Sequence, residues 1–140
     1  MNDYYPNSNE EILDKLKETK ELLKTYHVHI NLEAAAEYYL DENLLAKLVN
    51  KEKLLSFGRN YVLFETSFLN KPAFLEEAVF HLNTQGYQPI LAHPERYDYL
   101  MGNQKLIKSL KNMNLLFQMN LLSLTGYYSP DVKKMAVNLL

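Results

Sequence analysis

The chain has 140 residues, enough for one domain with a substantial hydrophobic core. Hydrophobic residues make up 47% and charged residues 23%, which is typical of a globular protein. A formal net charge of −2 argues against electrostatic binding to nucleic acid or to an anionic membrane. Cysteine is absent, which excludes disulfides and thiolate metal sites. The sequence shows neither a signal peptide nor an apolar run of bilayer length, so we expect a cytoplasmic protein without a membrane span.

After a loop over residues 1–7, the hydrophobic pattern predicts alternating helices and strands. Helices are predicted where apolar residues recur at helical spacing, and strands where short runs are rich in β-forming residues. The predicted helices cover residues 9–25, 41–49, 73–86, 103–113 and 129–140. The predicted strands cover residues 29–37, 61–65, 88–93 and 115–120. This alternation indicates a single α/β domain over residues 1–140, with about four parallel strands and flanking helices.

Each predicted strand ends at a residue that can bind a metal or a polar ligand. These residues are Glu37, Glu65, His93 and Asn120. The carboxyl ends of parallel strands share one edge of a sheet, where the sites of α/β proteins gather. Two carboxylates and an imidazole suit a divalent cation such as manganese, iron, magnesium or zinc. We therefore expect Glu37, Glu65 and His93 to bind metal.

Several residues near the candidate ligands could contact a substrate. Arg96 lies three residues after His93, and its planar guanidinium suits a phosphate bound at the metal. Tyr38, Tyr39 and Tyr97 stand next to the candidate ligands in the sequence. Their rings could surround an aromatic substrate, or they could fill the core, since tyrosine suits both places.

Each of these residues also has a structural interpretation. Glu37 could cap a helix, His93 could be a packing histidine, and Asn120 could stabilise a turn. Arg96 and Glu95 could form a surface ion pair of negligible energy. What favours a functional site is the coincidence of position, because glutamate, glutamate and histidine end three successive predicted strands.

The other histidines are interpreted as structural or exposed. His27 and His29 have a familiar metal-ligand spacing, but they open the first predicted strand. In a parallel sheet this places them at the edge opposite to the candidate ligands. His81 falls in the middle of a predicted helix and is expected at its surface or at the boundary with the core.

Four strings resemble a known family. They are "AAAEYYLDE", "YVLFETS", "ILAHPERYDYL" and "FQMNLLSLTGYY", and the "AH-x-ERY" pattern within the third is the most specific. Together they resemble the polymerase-and-histidinol-phosphatase (PHP) superfamily. The nearest branch is that of the bacterial manganese-dependent protein-tyrosine phosphatases tied to capsule and exopolysaccharide synthesis. The resemblance runs along essentially the whole chain.

This resemblance implies a fold, a reaction and residue roles. The implied fold is a distorted seven-stranded β/α barrel with divalent metals, manganese in this branch, at the strand carboxyl ends. Glu37 resembles the carboxylate that bridges metals, Glu65 and His93 resemble further ligands, and Arg96 resembles the arginine that holds the substrate phosphate. His93 and Arg96 are thus the expected catalytic residues, with Arg96, Tyr97 and Asn120 as expected substrate contacts. The reaction is hydrolysis of a phosphomonoester at the metals, without a covalent phosphocysteine.

The chain also departs from the family pattern. It lacks the D-x-H-x-H string of the first family strand and the S-D-x-H-like motif of a late strand. We therefore expect a central part of the barrel, with about four strands, weak or absent activity alone, and open sheet edges that favour self-association. The expected partner is a phosphotyrosine protein, such as a capsule-associated tyrosine kinase. The alternatives are a histidinol-phosphate-type phosphatase of small molecules and a non-catalytic remnant that binds a partner.

Overall fold

The computed structural model describes residues 8–140, so the loop predicted over residues 1–7 lies outside the described residues. Its helices are α1 (Asn9–Thr25), α2 (Glu42–Val49), α3 (Leu75–Thr84), α4 (Gln104–Asn112), α5 (Leu121–Thr125) and α6 (Pro130–Leu139). Its strands are β1 (Glu37–Tyr39), β2 (Tyr61–Glu65), β3 (Gln88–Ala92) and β4 (Leu116–Gln118). Two short 3₁₀ helices, Pro94–Arg96 and Asp98–Leu100, follow β3.

The four strands form one parallel sheet in the order β1-β2-β3-β4. This confirms the predicted α/β class and the predicted number of parallel strands. Every predicted helix is present with ends within two residues of the expected ones, whereas α5 was not predicted. No helix within residues 8–140 is long and apolar enough to cross a membrane.

The first strand differs from its prediction. Residues 29–36 are neither helix nor strand, and β1 begins at Glu37 instead of ending there. The alanines before Glu37 are poor strand formers, whereas the two tyrosines after it are good ones. The register pairs Glu37 with Leu63 and Tyr39 with Glu65. Glu37 therefore lies two residues before the sheet edge at which Glu65 ends β2.

The sheet has one buried face and one half-open face. Val62, Phe64 and Leu91 are fully buried and belong to the hydrophobic core, together with apolar side chains of α2, α3, α4 and α6. Side chains alternate between the faces of a strand, so Leu63 and Glu65 lie on the opposite face, where both are only partly buried. These four helices thus cover one face, and the other carries the glutamates of the candidate site.

Candidate metal centre

Three predicted ligands come together on the half-open face. Nε2 of His93 lies 3.6 Å from Oε1 of Glu37 and 3.4 Å from Oε2 of Glu65. One ligand atom from each residue lies within 4.8 Å of the others. Glu65 is the last residue of β2, and His93 follows the last residue of β3. Glu37 joins them from β1 because it occupies the same face as Glu65, although it does not end its strand.

The surroundings of His93 favour the neutral form of its imidazole. Burial, followed by the positive charge of Arg96, lowers the pKa of His93 below its ordinary value. The charge of Glu37 acts in the opposite direction, but it does not outweigh burial. We therefore do not regard the two short histidine–carboxylate distances as ion pairs. A neutral imidazole leaves a nitrogen lone pair available to a metal at neutral pH.

The donor set fits a divalent cation. A neutral imidazole nitrogen and two carboxylate oxygens bring lone pairs together, and a cation between them is the natural complement. Ligand atoms on one ion with bonds of about 2.0–2.2 Å lie roughly 3.0–3.6 Å apart. The two distances from His93 are 3.6 and 3.4 Å, close to this range. The three residues therefore suit part of a coordination shell for manganese, iron, magnesium or zinc.

His93 is held in an unusual backbone conformation. Its φ is 35° and its ψ is 53°, in the left-handed region that non-glycine residues seldom occupy. Its N–H donates to the carbonyl of Gln118 at 2.7 Å, and its own carbonyl accepts from the N–H of Arg96 at 3.0 Å. These bonds turn the chain sharply after β3, so the imidazole meets the glutamates.

The segment after β3 also fixes the end of β2. The hydroxyl oxygen of Tyr97 accepts from the N–H of Thr66 at 3.1 Å, and the hydroxyls of Tyr99 and Thr66 lie 2.6 Å apart. The rings of Tyr97 and Tyr99 stack at 5.3 Å. Because Thr66 directly follows Glu65, these contacts hold the backbone that carries a candidate ligand.

Tyr97 does not occupy the place expected for a substrate contact. Its side chain is fully buried, so no atom of it is open to a ligand. The sequence left open whether the neighbouring tyrosines are core or rim. Tyr38 is also buried in the core, whereas Tyr39 is only partly buried. Tyr97 therefore supports the site through its hydrogen bond to the backbone of Thr66, and no part of its side chain is exposed.

Asn120 lies beside a buried glutamate. Its N–H donates to Oε1 of Glu95 at 3.1 Å, and the hydroxyl of Ser123 donates to the same oxygen at 2.6 Å. Glu95 is fully buried, so the surface pair of Glu95 and Arg96 considered above is wrong. The Asn120 side chain accepts a long hydrogen bond of 3.4 Å from the side-chain amide of Gln118.

Arg96 lies three residues after His93, and its positive charge helps to lower the pKa of the His93 imidazole. Its guanidinium lies over the rings of Phe68 and Tyr128. Neither ring was predicted, because Phe68 and Tyr128 are distant from Arg96 in the chain. The role of Glu95 was not predicted either, because its hydrogen-bond partners lie in a distant segment. Tyr128 follows a left-handed glycine, Gly126, which places a turn there but does not indicate a site.

The other histidines lie away from this centre. His27 and His29 are exposed in the segment after α1. His81 is partly buried on α3, with Nε2 3.9 Å from the carboxylate of Glu77. Within residues 8–140, no group of three potential ligands includes any of them.

The buried tyrosines predict a loss of stability at high pH. Burial raises the pKa of Tyr99 to about 12, whereas an unfolded tyrosine has a pKa near 10. The unfolded chain therefore loses this proton first, and the free energy of unfolding falls as the pH rises from about 10 towards 12. At pH 8, Tyr99→Phe should lower the free energy of unfolding by about 1 kcal/mol, because a hydrogen bond is lost. Between pH 8 and pH 11, the free energy of unfolding should fall less in Tyr99→Phe than in the wild type. Urea unfolding followed by circular dichroism at both pH values measures this.

The exposed Tyr127 provides the matched control, since Tyr127→Phe should leave the pH dependence unchanged. If the free energy of unfolding fell between pH 8 and pH 11 by the same amount in Tyr99→Phe as in the wild type, the raised pKa of Tyr99 would be contradicted.

The fold and the grouped side chains define a structural class. A parallel α/β sheet that brings two glutamates and a histidine together on one face agrees with the PHP-type fold implied by the sequence strings. A family model described as "Capsular polysaccharide synthesis, CpsB/CapC" matches residues 1–140. The chain belongs to this family, which confirms the resemblance found in the sequence.

Sequence similarity to curated proteins agrees with membership of this family. CapC of Staphylococcus aureus is 28% identical over 136 residues, covering 97% of this chain and 53% of the relative. The tyrosine-protein phosphatase YwqE of Bacillus subtilis is 31% identical over 90 residues, 64% of this chain and 35% of the relative. The tyrosine-protein phosphatase CpsB of Streptococcus pneumoniae is 28% identical over 111 residues, 79% of this chain and 46% of the relative. The chain spans about half or less of the length of these relatives.

A solved structure shares the fold. It comes from work on YwqE and CpsB, described there as unique metal-dependent tyrosine phosphatases. The TM-score is 0.81 at 24% sequence identity, over 99% of this chain and 56% of the other. This match supports the partial PHP-type architecture.

Proposed function

We propose that this chain forms part of a metal-dependent phosphomonoester hydrolase that acts on phosphotyrosine in proteins. The observation that carries the proposal is the convergence of Glu37, Glu65 and His93 within 4.8 Å on one face of a parallel sheet. Arg96, a candidate phosphate contact, lies on the turn that follows His93. The names of the relatives support the substrate class, since YwqE and CpsB are tyrosine-protein phosphatases.

Each residue has a distinct role in this proposal. Glu37, Glu65 and His93 would hold the metal, and a bound divalent ion supplies positive charge that polarises a phosphoryl oxygen and acidifies water. Glu65 and Glu37 bring the negative charge that retains the cation. Arg96 binds the remaining phosphoryl oxygens through its N–H donors, and its charge offsets the negative charge that develops there.

The proposal extends to the identity of the metal, the protein partner and the cellular location. We propose manganese as the metal, a capsule-associated tyrosine kinase as a phosphotyrosine partner, and a cytoplasmic location. Self-association through an open sheet edge also stays a prediction. With three candidate ligands brought together within residues 8–140, we expect the isolated chain to be a weak catalyst.

Hydrolysis of p-nitrophenyl phosphate with and without manganese tests the function. We expect slow, manganese-dependent turnover that is lost in Glu65→Gln and His93→Ala, because each change removes a ligand. His81→Ala is the matched control, since it removes a histidine outside the centre, and it should retain wild-type turnover. Manganese binding, followed by the electron paramagnetic resonance signal of the free ion, should be lost in the same two variants.

Unchanged turnover and manganese binding in His93→Ala would refute the site. Comparing a phosphotyrosine peptide with histidinol phosphate tests the substrate class. Faster hydrolysis of histidinol phosphate would favour the small-molecule alternative, and metal-independent binding of a partner without turnover would favour the non-catalytic one.

A further inference from the structure

We propose that Phe68 and Tyr128 form an aromatic clamp that positions the Arg96 guanidinium to bind the oxygens of a phosphate group. This inference rests on the function proposed above, which gives Arg96 the phosphate. It adds two positioning residues that act on the substrate only through Arg96.

The clamp joins three segments that are distant in the sequence. The guanidinium carbon of Arg96 lies 4.7 Å from the ring centroid of Phe68 and 4.8 Å from that of Tyr128. Both distances are within the range of about 6 Å in which a cation is attracted to an aromatic face. Phe68 belongs to the loop after β2, Arg96 to the turn after β3, and Tyr128 to the connection between α5 and α6.

The rings supply the contacts that fix this guanidinium. Among residues 8–140, no hydrogen bond from its N–H groups and no carboxylate within 4.0 Å holds it. Arginine has five N–H donors in a planar fork that matches a phosphate. A cation–π contact uses none of these N–H groups as hydrogen-bond donors to a carboxylate, so the donors stay available to an oxyanion.

The clamp adjoins the metal centre through Phe68. The Phe68 ring also stacks on the imidazole of His93, with centroids 5.5 Å apart and an interplanar angle of 27°. The carbonyl of Phe68 accepts from the N–H of Asp98 at 2.8 Å, which anchors this ring to the segment that carries Arg96. One ring therefore contacts both a candidate metal ligand and the candidate phosphate-binding cation.

The clamp is accessible to a ligand. Phe68 and Tyr128 are each 39% exposed, and Arg96 is partly buried. A long arginine side chain loses conformational freedom when it binds an anion, and a side chain that is already held loses less. We therefore expect the clamp to strengthen phosphate binding without touching the phosphate.

Nuclear magnetic resonance of the arginine side chains tests the geometry directly. The chain contains two arginines, Arg59 and Arg96, so the Nε–Hε region holds two signals. Arg59 is exposed and serves as the internal reference. We expect the Arg96 signal upfield of the Arg59 signal because of ring currents, and its assignment is checked by its loss in Arg96→Lys.

Titration of the metal-free chain with inorganic phosphate tests whether the clamp strengthens phosphate binding by Arg96. In Tyr128→Leu, the Arg96 signal should move towards that of Arg59, and the Kd for phosphate should rise about three- to tenfold. Tyr128→Phe keeps the ring and should restore both values. Phe80→Leu is the matched control, since it removes an exposed ring on α3 away from the clamp, and it should leave both values near wild type.

The outcomes separate the clamp from the proposed function. An Arg96 signal that coincides with that of Arg59, or an unchanged Kd in Tyr128→Leu, would overturn the clamp and leave the phosphatase proposal standing. A wild-type Arg96 signal that does not respond to phosphate would overturn the phosphate-binding role of Arg96 and the clamp with it.

Discussion

Replacing Glu95 with alanine is expected to lower the free energy of unfolding by about 3 kcal/mol, one of the largest effects in this chain. Glu95 is fully buried, and its Oε1 accepts from the N–H of Asn120 and the hydroxyl of Ser123. Alanine leaves both donors without this acceptor and opens a cavity. Because these bonds connect the segment after β3 to the start of α5, their loss should also loosen the turn that carries His93 and Arg96.

Urea unfolding of the wild type and of Glu95→Ala measures this effect. Glu95→Gln retains the size and one oxygen acceptor, so it should cost less than the alanine variant. Glu77→Ala is the surface control, because this glutamate is exposed on α3, and it should change stability by less than about 0.5 kcal/mol. Equal losses in Glu95→Ala and Glu77→Ala would show that the buried hydrogen bonds contribute nothing.

Glu65→Gln is expected to have opposite effects on stability with and without manganese. In the metal-free chain, Glu65 and Glu37 place carboxylate oxygens within 4.8 Å of each other, so removing one charge relieves repulsion of about 1 kcal/mol or less. With manganese at a hundredfold excess over its Kd, binding stabilises the wild type by about 2.7 kcal/mol. Glu65→Gln should lose most of that gain, because it removes a ligand.

Thermal unfolding with and without manganese provides the measurement. The Tm of Glu65→Gln should equal or exceed that of the wild type without metal and fall below it with metal. Glu76→Gln is the control, since its carboxylate pairs with Lys71 away from the centre, and its Tm should rise with manganese as in the wild type. A full manganese-dependent shift in Glu65→Gln would remove Glu65 from the site.

Most of the fold follows from local patterns in the sequence. Apolar periodicity predicts the helices well, and in α1 a capping box of Ser8 and Glu11 marks the start of the helix. The start of β1 was not predictable from its neighbours. The alanines before Glu37 satisfy no strand pattern, and the strand forms where the chain pairs with β2, a contact distant in sequence.

The grouping of the three candidate ligands was predictable from the sequence, but the residues that support them were not. Glu65 and His93 were predicted from their positions at the ends of strands. Glu37 joins them, although the bounds predicted for its strand were wrong. The roles of Glu95, Tyr97 and Phe68 depend on side-chain contacts between loops. Such contacts have no sequence period, so Tyr97, one residue from Arg96, looked like a substrate contact and is a buried support.

The left-handed backbone of His93 has a consequence for engineering this protein. Glycine adopts such a φ without strain, so a library selected for heat resistance alone would favour glycine at this position. It would thereby discard the imidazole that joins the two glutamates. Position 93 should therefore be held fixed in a library selected for heat resistance. In a second library that varies position 93 and is selected for turnover, we expect glycine to be rare there, because the imidazole is needed despite its strained backbone.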